Sequence, residues 1–274
     1  MLARNSAWPR GALCLAATLA TAVPVCAHDL WLIPGSFALQ PGETVRIFIN
    51  SGDSFPTSDA LINRSRVQSL TLALASQEVQ VDTFVVDGKS LTAEVGPSQP
   101  GTSVLALTLE PRVIRLRAED FNEYLADEKL RGLLELRTAR GESNLPAVER
   151  YTKFAKAILS VGEQDDDRWS QPAGLKLEIV PRISPRVLRR GTALPFTVLF
   201  EGKPVSEVRV VGGRAGTRAQ EIETVTDAQG ESSVVLEEAG RWYLRVLHMI
   251  RLSDDDPEAQ WESFWTTLTF EVQA

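Results

Sequence analysis

The hydrophobic pattern of the chain divides it into three kinds of stretch. From Leu30 to about Arg117 short runs alternate apolar and polar positions, as in 43–50, 68–74, 79–86 and 103–109, and turn residues at Pro41-Gly42, Asp87-Gly88 and Pro100-Gly101 separate them. This predicts six or seven short strands and a β-sandwich. Between about Ala118 and Gly162 the apolar spacing becomes helical. Phe121, Leu125, Leu130, Leu133 and Leu134 fit one helix, with Glu119 and Asp120 where the dipole favours negative charge. A second helix is predicted after Asn144, with Pro146 in its first turn and Val148, Tyr151, Ala155, Ile158 and Leu159 on one face. Residues 163–174, with Asp165-Asp166-Asp167, read as a solvated linker. From Leu175 onward strands return, near 175–181, 194–200, 206–212, 219–226, 231–236, 241–250 and 263–273, with tight connections at Glu201-Gly202-Lys203-Pro204 and Asp227-Ala228-Gln229-Gly230.

The predicted architecture is therefore mainly β, with two β-sandwich domains of immunoglobulin-like or transthyretin-like type joined by a short helical segment. Its divisions are 28–117 for the first sandwich, 118–162 for the helical connector, 163–174 for the linker and 175–274 for the second sandwich.

The first 27 residues follow another rule. Arg4 and Arg10 precede an almost unbroken apolar run over 11–25, no acidic residue occurs before Asp29, and Val25 and Ala27 are the small residues that precede a cut. Residues 1–27 read as a secretory signal cleaved after Ala27. A lipoprotein anchored at Cys26 is the rival reading, disfavoured by Pro24 and Val25 in front of that cysteine. Cleavage removes Cys14 and Cys26, both cysteines of the chain. The mature protein then relies on core burial without disulfides. The expected location is the periplasm, with no stable membrane insertion once the signal is gone.

Composition narrows the chemistry. The 274 residues carry a formal charge of −7, which argues against a partner bound through phosphates and hence against nucleic acid. A chain without mature cysteine has no thiol nucleophile, thiolate zinc site or iron–sulfur cluster. It also lacks a phosphate-binding glycine loop, a nucleophile elbow and a paired-histidine protease helix. The two histidines are the remaining imidazoles. Cleavage after Ala27 makes His28 the chain terminus, where its α-amine and ring Nδ1 form a preset chelate suited to Cu(II) or Ni(II). His248 would add a third nitrogen, as in a histidine brace, although its place among Trp242, Leu244, Val246 and Ile250 also fits a packed strand residue. Trp261 and Trp265 read as packing or as a groove, and Glu149, Arg150, Tyr151 and Lys153 as a salt-bridged helix start.

His28-Asp29-Leu30-Trp31-Leu32 after the signal, Phe121-Asn122-Glu123-Tyr124-Leu125-Ala126-Asp127-Glu128, Glu149-Arg150-Tyr151-Thr152-Lys153-Phe154-Ala155-Lys156, and Trp261-Glu262-Ser263-Phe264-Trp265 with Leu268-Thr269-Phe270 together resemble an exported bacterial family, domain of unknown function 4198. The resemblance spans essentially the whole mature chain. It implies a periplasmic protein of two β-sandwich regions, associated with nickel uptake or metal transport and without established catalysis, with His28 at the family position favoured as ligand. The region 175–246 also looks like carboxypeptidase-regulatory and transthyretin-like modules.

The resulting expectation is a non-enzymatic metal-binding accessory protein that captures Ni, Co or Cu through His28, with His248 as a second ligand, and passes it to an envelope transporter. A metal-free periplasmic scaffold and a histidine-brace copper oxygenase are the alternatives.

Overall fold

The computed structural model describes residues 28–217 and 222–274. The expected signal over 1–27, its cut after Ala27 and both cysteines lie outside the described residues. Among those residues, no helix is long and apolar enough to cross a membrane.

Strands dominate. The N-terminal half contributes β1 (Asp29–Pro34), β2 (Ala38–Leu39), β3 (Val45–Gly52), β4 (Val67–Ala73), β5 (Glu78–Gln80), β6 (Val85–Asp87), β7 (Ser90–Val95), β8 (Gly101–Leu109) and β9 (Arg112–Leu116). Two helices, α1 (Ala118–Asp127) and α2 (Arg131–Ala139), precede β10 (Ala147–Val161). The remainder supplies β11 (Leu177–Pro181), β12 (Thr192–Phe200), β13 (Lys203–Pro204), β14 (Arg209–Arg214), β15 (Ile222–Val225), β16 (Glu231–Leu236), β17 (Gly240–Arg251) and β18 (Trp261–Val272). Most of the expected strands are found to within a few residues, because the turn chemistry that bounds them is local, but the one expected over 79–86 is split into β5 and β6, which pair in different sheets. At Glu201-Gly202, for example, φ is positive at both residues, 51° and 74°, and the chain reverses between β12 and β13.

These strands form three sheets. One has the order β1-β3-β7-β6; another centres on β12, with β11 on one edge and β16 and β13 on the other. The largest runs β15-β14-β17-β18-β10-β8-β4-β5, with β2 and β9 also paired to β10. It is shared by both halves of the chain. On one side of it Leu70, Leu72, Leu105 and Leu107 pack with Ile47, Ile49 and Leu91 of the first sheet. On the other, Leu244, Val246, Phe264 and Leu268 pack with Leu177, Ile179, Phe196 and Val198. The mainly β fold with sandwich packing is thus present, with a common sheet where two separate sandwiches were expected.

The segment after Asn144 is where the helical expectation fails. Residues 147–161 are not the second helix of a connector but a fifteen-residue strand at the centre of the large sheet. Its apolar positions satisfy both periods: Phe154 and Ile158 enter one core, whereas Ala155, Ala157 and Leu159 enter the other. A run apolar on both faces carries no decisive period. What decides is pairing, since β10 lies parallel to β18 over nine register positions and antiparallel to β8 and β9 on its other edge. The helix predicted over 121–134 is real but breaks in two at Lys129, whose φ is +58°. Phe121 and Leu125 then cover Trp261 and Met249 at one end of the sheet.

The linker over 163–174 is also tied down. Asp166 accepts the Thr102 N–H at 3.0 Å, and Asp165 accepts the Ser184 hydroxyl at 3.0 Å.

Candidate functional site

The site begins with the segment His28-Asp29-Leu30-Trp31-Leu32. Trp31 is fully buried, edge-on to Phe55 at 5.5 Å and to Tyr243 at 5.9 Å. The Leu30 and Leu32 carbonyls accept hydrogen bonds from the Thr267 and Thr269 hydroxyls of β18. Asp29, half-buried, lies 3.6 Å from the Arg245 guanidinium, which also reaches Glu128, the residue that caps the C-terminal end of α1, at 2.9 Å. Burial pushes the Asp29 carboxyl upward against the opposing pull of Arg245 and Lys153. Burial also works against the Arg245 charge, but Asp29 and Glu128 overcome it and raise its pKa. The segment is therefore an anchor, and its effect is to fix the position of His28.

The antiparallel register of β1 and β3 pairs Asp29 with Gly52, which sets His28 beside Asp53. The ring Nδ1 of His28 lies 2.7 Å from Asp53 Oδ1. A third group arrives from the following loop, where Ala60 bridges back to Ser51 and Asp59 Oδ2 accepts the Asp53 N–H at 2.9 Å. Gly52 permits this close return: a Cβ there would stand 2.7 Å from Asp59 Oδ2 and from the Thr57 carbonyl. His28, Asp53 and Asp59 each offer one ligand atom, all within 4.8 Å of one another. Among the described residues they form the one such group of three. The side chains of His28 and Asp53 are 38% and 57% exposed, so the group is open to solvent.

His248 is not part of it. It extends from β17 on the face that carries Trp242, Leu244 and Val246, and its half-buried ring lies 4.6 Å from that of Phe200 of β12 at the margin of the core. Burial lowers its pKa. His28 lies on the opposite face of the large sheet, toward Lys153, Thr267 and Thr269. The two imidazoles are not brought together, so the expected pairing of His28 with His248, and with it a histidine brace, is not formed.

Beside His28 opens a cleft of about 620 Å³. The segment read as a salt-bridged helix start supplies its floor, because on a strand Glu149, Tyr151 and Lys153 share one face while Arg150 points away to Glu262 at 2.9 Å and Asp256 at 3.3 Å. Parallel pairing places Trp265 opposite Lys153. Trp265 lines the cleft and stacks on Tyr124 of α1 at 6.0 Å, whereas Trp261 is packed beneath α1 and Phe264 faces the other core. Helix α1 forms one wall. The loop carrying Leu61 and Arg66, with β9, forms the other.

Two ionisable groups on the floor are nearly enclosed. Glu149 is 4% exposed; its Oε1 accepts the Tyr124 hydroxyl at 3.3 Å and the Ser263 hydroxyl. Burial raises its carboxyl pKa, with those hydrogen bonds and Lys153 opposing. Lys153 is 8% exposed and its Nζ donates to the His28 carbonyl. Burial lowers its amine to about 8, with Asp29 the main opposing influence. Sequence reasoning missed the cleft because it read these residues on a helix. It missed Asp53 and Asp59 because strand register alone brings them to His28.

The acidic runs of the sequence are otherwise engaged. Asp254 pairs with Arg140 at 2.7 Å and Arg251 at 3.0 Å, and Asp256 accepts the N–H groups of Glu258 and Ala259.

A family model described as domain of unknown function (DUF4198) matches residues 25–250. A comparison with curated proteins finds no match. Among solved structures, the D0-D1 domain of intimin is 11% identical at a TM-score of 0.23, covering 90% of this chain and 99% of its own. The human OSCAR ligand-binding domain is 13% identical at 0.19, covering 86% and 96%. The Escherichia coli adhesin FdeC is 12% identical at 0.24, covering 90% and 64%. Likenesses this distant have no bearing on function.

Proposed function

The chain belongs to the family described as domain of unknown function (DUF4198), and from the geometry around its N-terminal segment we propose that it binds a divalent transition metal through His28, Asp53 and Asp59. The convergence of these three ligand atoms within 4.8 Å carries the reading. An imidazole nitrogen and two carboxylate oxygens form a donor set of intermediate hardness, suited to Ni(II), Co(II) or Cu(II). The metal would sit between His28 Nδ1 and Asp53 Oδ1, which now lie 2.7 Å apart. Cleavage after Ala27 would add the α-amine of His28 as a second nitrogen, closing a chelate ring with Nδ1 through Cα, Cβ and Cγ. The partial exposure of His28 and Asp53 supports exchange of the ion with a partner over permanent storage. In this proposal the protein works in the periplasm and delivers the metal to an envelope transporter, with no catalytic step.

Titration of protein beginning at His28 with Ni(II), Co(II) and Cu(II) tests this. His28→Ala and the Asp53→Asn, Asp59→Asn double variant are each expected to lose more than about tenfold in affinity, the scale on which even supporting residues of a metal site act. A form with one extra N-terminal residue reads the contribution of the amine. Equal affinity in all forms would overturn the proposal.

A further inference from the structure

The cleft beside the metal group has a composition that packing alone does not require. Its floor carries a carboxylate and an ammonium that are each more than nine-tenths buried, yet both line a cavity of about 620 Å³, the size that encloses a small organic molecule. Glu149 spends one oxygen on Tyr124 and Ser263, and its Oε2 has no hydrogen-bond donor among the described residues. Lys153 spends one N–H on the His28 carbonyl. Between them Tyr151 presents an aromatic face, with Lys153 Nζ 5.7 Å and the Arg66 guanidinium 5.8 Å from its centroid. Leu61 and Leu109 add apolar wall. Buried polar groups with spare hydrogen-bonding capacity on an aromatic floor are the usual composition of a ligand site.

Charge gives the ligand a direction. The Lys153 end of the floor adjoins His28 and the metal group, and Arg66 and Arg112 also line the cleft. The other end is closed by Glu149 and, on α1, by Glu123. Asp120 and Glu128 of the same wall are already paired, with Arg117 at 2.6 Å and Arg245 at 2.9 Å. An anionic end group therefore belongs beside Lys153 and a hydrogen-bond donor beside Glu149. A flat apolar body fits over Tyr151.

We infer that this cleft binds a small, flat aromatic carboxylate, its acid group beside Lys153 and its far-end donor on Glu149, and that the acid group shares the metal held by His28, Asp53 and Asp59. The last clause rests on the metal reading; the cleft itself does not. The protein would then take its metal as an organic chelate as well as a bare ion.

5-Hydroxypyridine-2-carboxylate is a suitable probe, since its flat ring carries a carboxylate that chelates metal together with the ring nitrogen at one end and a hydroxyl para to that carboxylate at the other. Binding is read by calorimetry on the protein beginning at His28, with and without Ni(II). Saturable 1:1 binding is expected, tightened about tenfold or more by Ni(II), and weakened about tenfold by Tyr151→Ala through loss of the aromatic face. Leu61→Trp, at the half-exposed mouth, fills the cleft without touching its floor and is expected to weaken binding as strongly. Ni(II) affinity measured without 5-hydroxypyridine-2-carboxylate should be unchanged in both variants. Absence of saturable binding, or binding indifferent to both variants, would overturn the cleft. Probe binding that Ni(II) does not tighten, in protein that binds Ni(II), would overturn the shared coordination. Probe binding in protein that fails to bind Ni(II) would instead overturn the metal centre and leave the cleft.

Discussion

The Nζ of Lys153 donates a hydrogen bond to the backbone carbonyl of His28 across 125 residues of sequence. This one contact joins the central strand of the large sheet to the first described residue of the chain. It also joins the floor of the cleft to the metal group, so both sites depend on the same buried amine.

Lys153→Met should reveal that dependence in two measurements. Metal affinity is expected to fall, because His28 loses its backbone anchor while its side chain is untouched. The pH dependence of stability should change as well. With its amine lowered to about 8 against an ordinary 10.5, Lys153 binds fewer protons in the folded than in the unfolded protein between those values. Its contribution therefore becomes more favourable as pH rises from about 8 to 10.5, and is unchanging below and above that window. Urea melts at pH 7 and pH 10 should show a gain in the wild type, relative to Lys153→Met, of roughly 3 kcal/mol at most. Parallel pH profiles would contradict the assignment.

Gly52→Ala should separate the metal group from the fold. A methyl at this position meets Asp59 Oδ2 and the Thr57 carbonyl at 2.7 Å, so the loop must withdraw. A loss of about 1–3 kcal/mol is expected from overpacking. Metal affinity should fall more than about tenfold as Asp59 leaves the group. Retention of full affinity would show that Asp59 is not a ligand.

The core ion pair of Lys156 and Glu178, 2.7 Å apart and both 1% exposed, should behave differently from any surface pair. Glu178 also accepts the N–H groups of Ala173, Gly174 and Leu175, holding the end of the linker against the start of β11. Lys156→Met strands that carboxylate and is expected to cost about 3–5 kcal/mol in chemical denaturation. Adding Glu178→Gln should recover part of the loss, since the amide oxygen can still accept from the backbone. A double variant less stable than the single one would contradict this account.

N-terminal sequencing of the protein isolated after export should begin at His28. A start at Cys26 bearing lipid, or an uncleaved terminus, would remove the amine from the proposed ligand set without moving His28, Asp53 or Asp59.

Much of the fold is legible in the residues themselves. Turns such as Glu201-Gly202 and Asp87-Gly88, and the alternation between them, identify strands because backbone conformation and side-chain alternation are local properties. The helical period around Phe121 and Leu125 is local in the same way. The segment 147–161 defeats such reading, because a strand buried on both faces is apolar at positions that satisfy either period. Its identity follows from the edges of β8, β9 and β18, which are distant in sequence. Misassigning that one element also hides the cleft, since Glu149, Tyr151 and Lys153 share a face on a strand and diverge on a helix.

The sequence by itself determined that the protein is mainly β, that it carries an export-like N-terminal segment, and that His28 is a chemically distinctive residue. Tertiary structure decided what surrounds that residue. The register that pairs Asp29 with Gly52 gives His28 two carboxylate neighbours, and the opposite faces of one sheet keep it from His248. The reason is physical: side-chain chemistry is carried by each residue, whereas proximity between residues far apart in sequence exists only once hydrogen-bonded register and sheet packing have fixed their positions.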